Sequence, residues 1–239
     1  MPHGIPTTRC VRTFQFLRLP AVILLALIAS GASAAYDALL TPAALHDAYV
    51  LGQRNDQATA AFLGPYLKQL TNRAADPHIA EIEIFTPFAQ VVDQSRRLTS
   101  GYSEQQAAQD YHQRGDTILV RILLMLPAAY PKDQSSPQTN SPPPTSSSSA
   151  DQNSALRPEN FWQNFRFALK QHGKVIPTRS IHNTPVHSTP TTDAPGALDG
   201  ATVWLEYDAK DVASDDATIE VITPDSKTIS AAFDLKNLR

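Results

Sequence analysis

The chain of 239 residues carries 20 Lys and Arg against 23 Asp and Glu, a formal charge of −3, and 42% hydrophobic residues. That length and apolar content support a sizeable buried core. The absence of any basic run longer than Arg96-Arg97 excludes nucleic acid and anionic lipid as partners drawn by charge.

At the N-terminus Arg9, Arg12 and Arg18 precede the apolar run Ala21–Ala29, which leads into Ser30-Gly31-Ala32-Ser33-Ala34. A positive region, a short apolar region and a small-x-small site together read as a secretory signal peptide over 1–34, cleaved after Ala34. Losing those three arginines takes the formal charge from −3 to −6. The expected location is the periplasm or the extracellular space, which argues against nucleotide, nucleic-acid and redox chemistry. The alternative is a retained membrane anchor: Leu19–Ala35 approaches the ~17-residue lower limit for a spanning helix, but Ser30, Gly31 and Ser33 dilute it. The lone cysteine, Cys10, lies upstream of the apolar run, so lipid attachment at the cleavage point is not expected. The mature chain then has no disulfides and no thiolate metal sites.

Residues 35–72 read as an N-terminal helical segment packed on a sheet. Thr41-Pro42 supplies an N-cap with proline at the first helical position, and Leu45, Ala48, Tyr49 and Gly52 form one stripe. Asn55 restarts the pattern, with Ala58, Ala61, Phe62 and Tyr66 as a second stripe until Gly64-Pro65 bends it. A third helix is expected over Glu104–Arg114, opened by Ser103 and Gln106 at capping-box spacing and stopped at Gly115.

Seven strands are expected within 73–239: Ile79–Phe85, Thr117–Leu126, Phe161–Leu169, Lys174–Ile181, Thr202–Asp208, Thr218–Thr223 and Thr228–Leu235. The last two are joined by the turn Pro224-Asp225-Ser226-Lys227. Between Pro131 and Pro158 half of the residues are proline or serine, a composition that cannot repay the entropy of ordering and reads as a disordered insert. The expected fold is α+β and mainly β, a seven-stranded immunoglobulin-like β-sandwich. The strand before the insert pairs with the one after it, so that the insert forms the tip of a hairpin.

Strong catalytic signatures are missing: there is no G-x-S-x-G elbow, no H-E-x-x-H and no glycine-rich phosphate loop. Two candidate metal-ligating groups remain. His182 and His187 offer imidazoles for zinc, although two ligands are too few alone and the nearby Pro177, Pro185, Pro190 and Pro195 suggest an exposed loop. Asp208, Asp211, Asp215 and Asp216 crowd between two strands and offer oxygen ligands to calcium, but without the glycine and closing glutamate of an EF-hand loop. The plainer reading of both is a solvated polar loop, with no cofactor. His46, His78 and His112 read as structural or solvent-facing. Trp162 and Trp204 read as core, or as a binding platform if both project outward.

The reading that follows is an exported, non-catalytic interaction or structural module with a protein or envelope partner and no membrane contact beyond the leader. Alternatives are an exported hydrolase or metal-dependent enzyme using the loop His and Asp residues, and a tethered envelope component if the leader is retained.

Overall fold

Each helix of the N-terminal half begins at a side chain that caps it. The computed structural model describes Met1 and residues 36–70, 77–98, 100–127, 159–189 and 197–239. The expected signal peptide beyond Met1, the expected disordered insert 131–158 and the prolines at 190 and 195 lie outside the described residues.

Helix α1 (Pro42–Arg54) starts where the Thr41 hydroxyl accepts the Ala44 N–H, and ends at Asn55, whose φ of 42° is left-handed. Asparagine tolerates that conformation better than most residues, so Asn55 closes α1 and does not open the next helix. Asp56 opens α2 (Gln57–Leu63): its carboxylate accepts the Ala58 and Thr59 N–H groups while the Thr59 hydroxyl returns to the Asp56 N–H. Helix α3 (Pro87–Arg97), not anticipated from sequence, uses the same Thr-Pro device as α1, with Thr86 accepting the Ala89 N–H. Helix α4 (Glu104–Arg114) runs as expected from Ser103 to Gly115.

Helices α1, α3 and α4 share an apolar cluster of Leu45, Ala48, Phe88, Val91, Val92 and Tyr111. The α1–α3 crossing is close: a Cβ at Gly52 would lie 2.4 Å from the Val92 carbonyl oxygen and 2.6 Å from the Ser95 Cβ. No helix among the described residues is long and apolar enough to cross a membrane.

Among the described residues nine strands, paired antiparallel throughout, form two sheets. The five-stranded sheet has β1 (Leu67–Gln69), β2 (His78–Phe85), β3 (Thr117–Met125), β6 (Ser180–His187) and β7 (Leu198–Asp208), in the order β1-β2-β3-β7-β6. The four-stranded sheet has β4 (Arg166–Gln171), β5 (Lys174–Ile176), β8 (Asp216–Ile222) and β9 (Thr228–Asp234), in the order β5-β4-β8-β9. Their facing sides share one core, in which Ile82, Ile84, Val120, Ile122, Val203 and Leu205 meet Leu169, Ile219, Val221 and Phe233. The layering is that of a β-sandwich-like α+β unit.

Two strands more than expected arise for separate reasons. The stretch Lys174–Ile181 is not one strand: it is interrupted at 177–179, and its halves join different sheets. Proline at 177 removes a ladder donor where the chain changes layer. The second addition, β1, is a three-residue edge strand without an apolar pattern. Residues Phe161–Asn164 form a 3-10 turn, so β4 starts later than expected.

The pairing around the Pro/Ser-rich segment also requires correction. Strand β3 lies between β2 and β7, whereas β4 lies between β5 and β8 in the other sheet. The segment therefore joins two sheets and is not a hairpin tip.

Long-range polar contacts tie the chain across this unit. The Tyr36 hydroxyl donates to the Ala209 carbonyl at 3.0 Å and to that of Val212, and burial raises its pKa to about 12. The Arg239 carbonyl accepts from Tyr66 at 2.8 Å and from Thr86, while its guanidinium sits 4.2 Å over the Phe88 ring.

Candidate functional site

Alternation in the five-stranded sheet sends one set of side chains into the core and the other outward, where α3 packs against β2 and β3 with Arg114 of α4 beside it. Register places Glu83, Arg121, Trp204 and His182 in one row across β2, β3, β7 and β6. Phe85, Leu119, Glu206 and Ser180 make the adjacent row.

The first row is a stack. Arg121 pairs with Glu83, and its guanidinium lies 5.5 Å from the centroids of both the Phe85 and Trp204 rings. On the β6 side of Trp204 the His182 ring stacks at 6.2 Å with 13° between the planes. Planar groups flank the indole on both sides, so it is not an open platform. Burial raises the Glu83 pKa; Arg121 opposes that shift, and the negative charges of Asp93 and Glu81 add to it.

Between this face and the helices lies a cavity of about 400 Å³. Phe85, Leu119, Trp204, Glu206 and His182 line it from the sheet; Gln90, Asp93, Gln94, Arg97 and Arg114 line it from the helices, with Leu98 at the end of α3. Arg114 donates to the Gln90 side-chain carbonyl at 3.0 Å and to that of Gln94. Both glutamines are held in turn. Gln90 donates to the main-chain carbonyls of Phe85 at 3.2 Å and Thr117 at 2.6 Å, and Gln94 donates to Asp110 at 2.6 Å. Asp93 accepts from Arg96 at 2.7 Å and Arg97 at 2.8 Å, leaving one carboxylate between two cations.

The metal candidates are dispersed. His182 is on the groove floor, while His187 sits five residues along β6, about 16 Å away at strand rise and opposite Leu198. Asp208 lies 3.7 Å from Arg179. Asp211 is an exposed residue of the 3-10 turn Ala209–Asp211. Asp215 contacts Lys236 at 2.6 Å and His172 at 2.9 Å; Lys236, the Asp216 N–H and His172 hold its carboxyl well below the usual range. Asp216 begins β8 opposite Asp234. Among the described residues no three His, Cys, Asp or Glu side chains gather to hold a metal ion. His46 pairs with Glu104 at 2.9 Å, and the His112 ring lies 5.4 Å from that of Tyr111. Trp162 packs against the sandwich core, away from Trp204.

Sequence reasoning missed Gln90, Gln94, Arg114 and Glu206. One signal was available, since Arg121 interrupts an otherwise apolar strand and marks an outer face with its own chemistry. Compared with known proteins, the chain matches no family model, no curated protein and no solved structure.

Proposed function

We propose that this chain is an exported, non-catalytic interaction module, immunoglobulin-like in architecture and use, whose contact surface is the groove between α3, α4 and the outer sheet face. The observation that carries the reading is the cavity itself, where apolar floor and preset polar groups converge in the manner of binding sites. Its charged groups are held by neighbours, Arg114 by Gln90 and Gln94 and Arg97 by Asp93, in the manner of a preset recognition surface. Export rests on the arginine-flanked apolar leader.

Two measurements test this. Mass spectrometry of protein recovered from periplasm or medium should find a mature N-terminus at Ala35, and intact full-length protein confined to cytosol would refute export. Proximity labelling with wild type and with Leu119→Arg, which places a charge on the cavity floor, should differ in a discrete set of partners. Identical labelling with a folded variant removes the groove as the contact surface.

A further inference from the structure

Arg114 and Glu206 both line the cavity, and neither has an ion-pair partner among the described residues. Arg114 is held by two neutral glutamine carbonyls, which fix the guanidinium without cancelling its charge. Asp110, one turn earlier on α4, is engaged by Gln94, Tyr102 and Gln106. Among the described residues the Glu206 carboxylate accepts the Ser180 hydroxyl alone, at 2.8 Å, which leaves acceptor capacity open. In the recess around Asp215, that carboxylate meets Lys236 and His172, and Glu220 meets Lys170.

A preset cation on the helical wall, a preset anion on the sheet floor and apolar surface from Phe85, Leu119 and Trp204 define a complementary ligand. We infer that the cavity binds a small zwitterion with an apolar side chain, a single amino acid or a dipeptide, its carboxylate on Arg114 and its ammonium on Glu206. The roughly 400 Å³ volume lies near the small end of ligand pockets, which suits one or two residues better than a longer peptide. Arginine donates to a carboxylate through paired N–H groups, and rigid holders reduce the ordering cost on binding. Asp93 and Arg97 also line the helical wall, but they are paired with each other at 2.8 Å.

This inference rests on the groove being the contact surface, and it deepens that reading by naming the ligand class. The probes are phenylalanyl-leucine, its N-acetyl form, its C-terminal amide and free L-phenylalanine, titrated calorimetrically into the full chain. The uncapped dipeptide should bind, and each cap should weaken binding about tenfold. In Arg114→Gln the amide cap should cost nothing further, and in Glu206→Gln the acetyl cap should cost nothing further. Tighter binding of phenylalanine than of the dipeptide supports a free amino acid as the source; the reverse supports a peptide.

The inference is overturned if no probe binds, if capping leaves affinity unchanged, or if a variant keeps the full loss from its matching cap. Should Arg114→Gln fail to fold, the capped probes on wild type and Glu206→Gln still decide. Dipeptide binding by a chain that stays in the cytosol would refute export alone, whereas an exported chain that ignores all probes would refute the ligand class alone.

Discussion

The two faces of the five-stranded sheet are made by the same strands and obey different rules. On the inner face Ile82, Ile84, Val120, Ile122, Val203 and Leu205 are fully buried. Burial there is non-directional and scales with area, so any aliphatic residue of fitting size serves. On the outer face Glu83, Arg121, Trp204 and His182 depend on who stands beside them, because ion pairing and stacking need a particular neighbour at a particular register. A one-residue slip would exchange the two sets and place an ion pair in the core. The inner face thus supplies stability, and the outer face supplies position.

The largest expected effect breaks that contrast if it is wrong. Ile122→Ala should cost about 2–5 kcal/mol in urea unfolding, whereas Leu123→Ala, on the outer face, should cost under about 1 kcal/mol. Equal losses would mean that the outer face is as much core as the inner one.

Next in size, Arg121→Met strands the Glu83 carboxylate in a mostly enclosed site and should cost about 1–3 kcal/mol. Adding Glu83→Gln should recover part of that loss. A double-mutant cycle that closes without coupling would remove the ion pair from the account.

A smaller effect is the pH slope from Glu83. Its folded pKa is raised, so the native state binds more protons than the unfolded state between the ordinary carboxylate value of 4.5 and the raised one. Stability from this group is therefore highest below 4.5 and falls as pH rises through that window. Glu83→Gln should flatten the slope of unfolding free energy against pH relative to wild type, and an unchanged slope would assign the titration elsewhere.

The smallest effect bears on the aspartate loop. Dialysis against a chelator should leave the Tm unchanged, and a drop reversed by calcium or zinc would revive a metal role for Asp208, Asp211, Asp215 and Asp216 or for the two histidines.

How far these features can be read in advance depends on how local their cause is. Helices α1 and α4 were legible because Thr41 and Ser103 cap them from within one turn. Helix α3 carries an equally local signal at Thr86-Pro87, but the strand pattern of β2 runs into it with a single residue between them. The split of Lys174–Ile181 was marked by Pro177, yet which sheet each half would join depends on distant partners. For the groove, Arg121 stood out within β3 and His182 drew attention as a metal ligand, when its neighbour proved to be Trp204. Gln90, Gln94, Arg114 and Glu206 are ordinary residues in a sequence. Only the placement of α3 and α4 over the register of β3 and β7 makes them a site.

Because β3 and β4 belong to different sheets, the stretch of chain between them divides the molecule's covalent path without dividing its architecture. Upstream of that point come the helices and β1–β3; downstream come the other six strands, and nine cross-strand residue pairs join β3 to β7. Tyr36 on one side grips Ala209 and Val212, and Arg239 on the other reaches back to Tyr66 and Thr86. A protease nick between Pro127 and Glu159 should therefore leave two fragments that co-elute as one particle and separate only in denaturant, which makes this chain a natural split-protein scaffold.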